Sequence, residues 1–360
     1  MKILIINDTH YGIKNGHEVY LKQAERFFDK VFETCREHQI TTIFHLGDFF
    51  DNRRQIPVEV ISRVKSMFLD RLVEEGIEMH IVLGNHDVTY RNTNRVNSLE
   101  AIFEPHYNDR IKIYTHPTYL LHLNEGVRIG LIPWITEENR EECLQFMEET
   151  KAEILMGHFE IEGFAYIANS SIKSRGLSQS IFKRFDMVLS GHYHVGSQIG
   201  NITYLGAPYP MNWGDVDDPK CFHVLDLGEK KLIPILNEDS VYVKIQYSGT
   251  KPSGDDWSWI EGKFVRLIVT SRGDDPDEYE SFVTTLQSCN PYDLKIFEDY
   301  QLTIDNSSSI MEDSDLSIDS TQSLLTTYVD DIQTDSDISK DRLKNYILGL
   351  YTEATSDSAS

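Results

Sequence analysis

Five apolar runs in this chain each close on residues that can hold a metal ion. KILIIN leads to Asp8 and His10, TTIFHLGD to Asp48, and MHIVLGNHD to Asn85, His86 and Asp87. EILMGH ends on His158, and DMVLSGHYH on His192 and His194. The set mixes carboxylate, amide oxygen and imidazole without a thiolate, which suits manganese, iron or zinc. Asp8 and His10 lie two apart in an extended segment, so both side chains can reach one ion. Asp48 can bridge two ions. Two divalent cations about 3.5–4 Å apart activate a hydroxide and clamp a phosphoryl group for in-line displacement. The leaving oxygen then needs a proton. His86 adjoins a candidate ligand without being needed to complete either coordination sphere, so it is the candidate general acid. Asp87 either orients the His86 imidazole or caps the following turn. One histidine after a strand is usually a core or turn residue; recurrence at five strand ends points to a dinuclear centre.

Residues spread from Asp8 to His194 can meet only if the runs are arranged side by side. Each run is short, rich in Ile, Leu and Val, and closed by a turn, as a buried strand is. In layered α/β sheets, ligands bind outside the carboxyl ends of the strands. Helical periodicity intervenes over about Tyr20–Glu37, Pro57–Glu75, Val96–Phe103, Glu138–Thr150 and Ser178–Lys183. Residues 1–220 therefore read as a layered α/β domain. Residues 221–304 offer CFHVLDL, KLIPIL, VYVKIQY and KFVRLIVT, then a helix near Asp277–Ser288 and a strand near Leu294–Phe297, which predicts a small α+β domain. Residues 305–322 are rich in Ser and Asp and predict a flexible acidic linker. Residues 323–360 regain an amphipathic helical pattern too short for its own core, as a partner-docking segment would.

The 360 residues carry 34 Lys and Arg against 58 Asp and Glu, a net charge of −24. That balance excludes a polyanion-binding surface covering the whole molecule. Arg53 and Arg54, and Arg91 and Arg95, directly follow two of the metal-type motifs and are candidate phosphate contacts. Cys35, Cys143, Cys221 and Cys289 form no CxxC and read as thiols of a reducing compartment. No apolar run approaches the ~20 residues of a membrane span. A soluble, cytoplasmic protein without membrane contact is expected.

The ordered pattern DxH, GDxxD, GNHD, GH and GHxH, over about residues 1–215, resembles the calcineurin-like metallophosphoesterase superfamily. GDFFDNR and GNHD depart from the GDxxDRG and GNHE of protein Ser/Thr phosphatases. GHYH followed by YLGAPYP looks like the SbcD-type DNA-repair nuclease branch. IPWITEEN and the acidic linker look most like the recombination endonuclease subunits of T-even-type phages. The resemblance implies a layered αββα domain, a small DNA-binding capping domain and a C-terminal helical segment. It implies a manganese-dependent exonuclease and endonuclease that processes DNA ends in recombination and double-strand-break repair with an SMC-like ATPase. One metal would take Asp8, His10, Asp48 and His194, the other Asp48, Asn85, His158 and His192, with His86 as acid. It also implies a homodimer through the helices at about Pro57–Glu75 and Val96–Phe103, whose apolar positions Val60, Val64, Met67, Phe68, Leu99, Ile102 and Phe103 exceed one sheet-packing face. Other readings are a small-molecule phosphodiesterase or phosphatase with the same dinuclear site, and a non-enzymatic metal-binding scaffold. The chain after residue 220 is superfluous for a small substrate, and the full ligand set with His86 argues against a scaffold.

Overall fold

Two mixed sheets face each other, and each has parallel strands in its middle. In the first the order is Lys231–Leu236, Cys221–Asp226, Lys2–Ile6, Thr42–His45, Glu78–Val82, Ile111–Tyr114. The last four are parallel, and the Cys221–Leu236 hairpin adds antiparallel to Lys2–Ile6. In the second the order is Ser197–Ile199, Ile202–Tyr204, Met187–Gly191, Ile154–His158, Val127–Ile132, Thr118–His122. Its two edge strands are antiparallel to their neighbours. This computed structural model describes residues 1–107, 109–122, 126–164, 174, 176–254 and 256–298. Contacts group Met1–Asp305 as one unit and Asn306–Ser360 as another. The second unit, like the expected linker 305–322 and helical segment 323–360, lies outside the described residues.

The central strands are apolar on both faces because both faces are covered. Ile3, Ile5 and Phe44 of the first sheet meet Ile129, Leu131, Ile154, Met156 and Leu189 of the second between the layers. On the outer face of the first sheet, Leu4, Ile6, Ile43, Met79 and Ile81 pack under three helical segments. These are Glu18–His38, the α–π–α run Val58–Val64, Lys65–Leu69 and Asp70–Glu74, and Ser98–Tyr107. On the outer face of the second, Cys143 and Met147 of the helix Arg140–Glu149 cover Leu155 and Val188. The layers therefore run α, β, β, α.

Two expectations change. The first two strands expected in the α+β domain, Cys221–Asp226 and Lys231–Leu236, belong to the first sheet instead, because their alternate side chains Phe222, Val224, Ile233 and Ile235 join its outer core. The residues after the hairpin form a three-stranded parallel sheet, Tyr242–Ser248, Phe264–Ser271 and Asp293–Glu298, with the helix Pro276–Ser288 packed on one face. The dimer argument also changes. Val60, Val64, Phe68, Leu99 and Phe103 are all at most 1% exposed within the single chain. Phe68 stacks on Phe28 at 4.4 Å between ring centroids and lies beside Phe32 and Phe49. These five positions fill the chain's own core, while Met67 and Ile102 of the same set are half-buried.

Phe68→Ala is accordingly expected to lower the unfolding free energy by about 3–5 kcal/mol, measured by urea denaturation. A loss below about 1 kcal/mol with a halved mass in light scattering would return Phe68 to an interface.

Candidate metal centre

All five motifs converge where the carboxyl ends of neighbouring strands meet: Lys2–Ile6, Thr42–His45 and Glu78–Val82 from one sheet, Ile154–His158 and Met187–Gly191 from the other. Asp8, His10, Asp48 and His158 form a buried floor. Asn85, His86, His192 and His194 are half-buried around it. Three groups have ligand atoms within 4.8 Å of one another: Asp8, His10 and His194; His10, Asp48 and His86; Asp48, His158 and His192. Asp48 belongs to two of them, as a bridging carboxylate would. Asn85 Oδ1 lies 3.0 Å from His158 Nε2, and Nε2 of His10 and His194 are 3.2 Å apart. Buried carboxylates and imidazoles aimed at common points, with no thiol among them, fit hard-to-borderline divalent cations.

The geometry is held by contacts that no single motif contains. His158 Nδ1–H donates to Leu46 O at 2.8 Å, which turns Nε2 inward to 3.2 Å from Asp48 Oδ2. The amide of His192 donates to the Asp8 carboxylate at 3.0 and 3.1 Å. Asn7 Nδ2 donates to the same carboxylate at 2.5 Å. Asp8, His10, Asp48 and His192 all adopt positive φ, at 47°, 40°, 55° and 92°. Non-glycine residues rarely do so, and such strain concentrates at functional sites. Gly84 is needed for close approach: a Cβ there would sit 2.2 Å from Asp48 Oδ1.

Asp87 neither orients His86 nor caps a single turn. Its buried carboxylate accepts the amides of Gly84 at 2.9 Å, Asp48 at 2.8 Å, Phe49 at 3.0 Å and Phe50 at 3.4 Å. It ties the loop after Thr42–His45 to the loop after Glu78–Val82. The partner of His86 is Asp51, whose carbonyl accepts His86 Nδ1–H at 2.5 Å. Asp51 also sets its carboxylate 3.4 Å from His10 Nδ1. Asp51 has a faint signal in sequence, as the second acid of GDFFD. Asp215, with Oδ2 3.9 Å from His194 Nδ1, and Lys220, which donates to His194 O at 2.9 Å, had none. Trp134, inside the IPWITEEN tract, sets its ring 5.2 Å from that of His192.

The candidate arginines divide. Arg53 and Arg54 lie on the loop after Asp51, and Arg91 turns the hairpin Val88–Tyr90 and Thr93–Asn97. Thr89 Oγ1 donates to Arg53 O, so the two loops are adjacent. Arg95 is paired with Glu138. Arg184 donates to the carbonyls of Met147, Glu148 and Thr150 and so caps the helix Arg140–Glu149.

Mutual pairing dominates the electrostatics among these side chains. Burial would lower His10, but the Asp51 hydrogen bond and the Asp48 charge reverse this and hold it up at about 9. Burial likewise opposes His158, and the Asp48 charge overrides it to about 9. Burial resists Asp48 ionisation, yet His158 and His86 keep its pKa well below the usual range. Burial, then the neighbouring His158, pushes His192 well down, and burial lowers His86.

The profile of the calcineurin-like phosphoesterases matches residues 1–196, the stretch that builds both sheets up to His194. The chain belongs to the calcineurin-like phosphoesterase family. This phosphoesterase is 29% identical over 355 residues to exonuclease subunit 1 of Enterobacteria phage T4, covering 99% of this chain and 100% of the relative. It is 22% identical over 240 residues to the DNA double-strand break repair protein Mre11 of Methanosarcina acetivorans, covering 64% of this chain and 38% of that protein. It is 22% identical over 276 residues to a subunit of the nuclease SbcCD of Escherichia coli K12, covering 66% of this chain and 68% of that subunit. Among the described residues of this phosphoesterase, no helix is long and apolar enough to cross a membrane.

The geometry of the phosphoesterase makes Asp87 and the two charged histidines testable. Asp87→Ala leaves buried amides without an acceptor and is expected to lower stability by at least about 2 kcal/mol while weakening metal affinity, read by thermal unfolding and metal titration. Lost turnover with both unchanged would make Asp87 a partner of His86 after all. The second expectation concerns pH. His10 and His158, held at about 9, carry protons at pH 7–8, and a metal takes neutral imidazole. Cation binding should release protons, and affinity should rise with pH until it levels near 9. Asp48 is already ionised and His192 already neutral, so neither adds to this slope. Calorimetry in buffers of different ionisation enthalpy measures the release; a flat profile from pH 7 to 9 would rule these protonated histidines out.

Proposed function

We propose that this phosphoesterase is a metal-dependent DNA exonuclease and endonuclease that processes DNA ends in recombination and double-strand-break repair, as the nuclease subunit of a complex with an SMC-like ATPase. The observation that carries the reading is the extent of the likeness to the phage exonuclease subunit, 99% of this chain and 100% of that one. It runs beyond the 196 residues of the family match, through the hairpin and the three-stranded sheet, which a small-molecule phosphatase has no use for. The SMC-like ATPase is the partner assigned to the amphipathic segment 323–360.

Asp8, His10, Asp48 and His194 would hold one cation, and Asp48, Asn85, His158 and His192 the other, with manganese the expected metal. Bound there, the pair supplies Lewis acidity to the phosphoryl oxygens and lowers the pKa of a water. The chain's own groups do the rest. The Asp51 carbonyl holds His86 Nδ1–H and so leaves Nε2 as the atom that carries a proton to the leaving oxygen. Burial lowers the His86 pKa, so its imidazolium is a stronger acid once formed, although a smaller share of it is protonated. Asp87 fixes the two loops that carry Asp48 and Asn85, so the receiving geometry exists before substrate arrives.

Labelled double-stranded DNA, incubated with the full chain with and without manganese and then with chelator, tests the activity. Cleavage restored by manganese and abolished by chelator is expected; full cleavage in chelator sinks the metal mechanism. His86→Ala should retain metal and DNA binding and lose about 10²–10⁴-fold in rate. His194→Ala should lose metal affinity itself, and rescue by excess manganese of His86→Ala alone would exchange the two roles.

A further inference from the structure

One fully buried histidine beside the centre is not among its candidate ligands. His45 closes the strand Thr42–His45, in the run that leads to Asp48, and is 0% exposed. Strand alternation puts it on the same face as Ile43, in the outer apolar core of the first sheet. Its ring lies 5.1 Å from that of Phe49. Burial pushes its pKa down to about 3, so the imidazole is neutral at neutral pH. Nε2 lies 3.0 Å from Thr9 Oγ1, and Nδ1 has no hydrogen-bond partner among the described residues. A buried nitrogen without a partner costs stability. A leucine of similar size would avoid that cost, so packing alone does not account for a histidine at this place.

Thr9 decides the tautomer. Its hydroxyl has one hydrogen, which it donates to Phe49 O at 3.0 Å. His45 Nε2 must then carry the proton that joins the ring to Thr9 Oγ1, and Nδ1 is the bare nitrogen. The result is a chain of hydrogen bonds from His45 Nε2–H to Thr9 Oγ1–H to Phe49 O. Thr9 stands between Asp8 and His10, and Phe49 follows Asp48; those three neighbours all have positive φ. Backbone bonds cross the same gap, from Asp8 N to Gly47 O at 3.0 Å and from His10 N to Asp48 O at 3.1 Å. We propose that His45 is a positioning residue for one of the two cations. Through Thr9 it holds the Asp8–His10 turn against the loop that carries Asp48, and so shapes the site of Asp8, His10, Asp48 and His194 without touching the ion. The proposal rests on the two-cation reading given above and deepens it. Asn85 and His158 of the other site hang on different contacts: His158 on Leu46 O, and Asn85 on the loop that Asp87 fixes. A defect at His45 should therefore fall on one site.

Manganese binding to the full chain, with free manganese counted by electron paramagnetic resonance, tests this in two backgrounds. Asn85→Ala removes a ligand of the second site and leaves the first to be measured; His194→Ala does the reverse. In Asn85→Ala, His45→Leu is expected to weaken binding roughly 10–100-fold, the usual effect of losing a residue that orients a ligand. In His194→Ala the same change should leave affinity within about twofold. His45→Gln, whose Nε2 can donate from nearly the same place, should restore most of the lost affinity. Thr9→Val should reproduce His45→Leu, and the two together should lose no more than either alone, because both break one chain. Thermal unfolding in chelator should place His45→Leu at or above the parent. Equal weakening in both backgrounds, with a lowered midpoint, would reduce His45 to a general packing role and overturn the proposal. So would parent affinity for His45→Leu in Asn85→Ala, a His45→Gln as weak as His45→Leu, or additive losses with Thr9→Val. A parent chain that binds no manganese would remove the dinuclear reading itself. A parent that binds two ions, as His45→Leu does with unchanged affinities, removes this inference alone.

Discussion

One buried carboxylate holds the two halves of the metal-binding floor in register. Asp87 accepts amides from Gly84 and from three consecutive residues, Asp48 to Phe50. The loops after two neighbouring strands thus share one acceptor, and a buried acceptor with several donors is costly to disturb. Gly84 must lack a Cβ because this clamp brings it against the Asp48 carboxylate. Asp48 in turn accepts the His86 amide at 2.8 Å. The candidate acid and the candidate bridging ligand are therefore positioned by the same few atoms, though neither touches the Asp87 side chain through its own.

The centre is an arrangement of opposite charges. Asp48 lies between His10 and His158, and each imidazole is kept charged by carboxylates that it in turn keeps charged. Burial alone would neutralise all of them. The pairing explains how four residues with left-handed φ are retained in this enclosed site: hydrogen bonds and charges over-determine a backbone that would relax if isolated. Cations bound there would take the place of the imidazole protons and find their ligands in position.

Basic residues outside the centre have different structural surroundings. The loop after Asp51 and the Val88–Asn97 hairpin bring arginines to the rim, while Arg184 caps a helix. The three-stranded sheet is joined to the body through aromatic contacts, with Tyr20, Tyr242, Phe264 and Tyr292 near His17 and Trp213. Lys244 and Arg266, on the same sheet face as Tyr242 and Phe264, join this junction through Asp217 and Trp213.

Strand ends, ligand types and the layered class are legible in the sequence alone. Apolar runs closed by Gly and a polar residue are local signals, and buried parallel strands leave them in any order of neighbours. The helix Glu18–His38 and the helix after Asp275 are legible too, because their periodicity and N-cap are written within a few residues. Other features needed the tertiary structure. Which sheet received the Cys221–Leu236 hairpin depended on which edge was open, and local pattern carries no edge information. Whether Val64 and Phe68 faced a second copy or their own core depended on how much of the helix the neighbouring aromatic residues enclose. The roles of Asp215 and Lys220 were hidden because contacts between separate loops, like the hydrogen bond from Asn7 to Gly206 across 199 positions in the same site, leave no spacing to read. The alignment of Lys244, Arg266 and Lys295 across the three-stranded sheet exists only as strand register, and register is set by packing, not by any one strand.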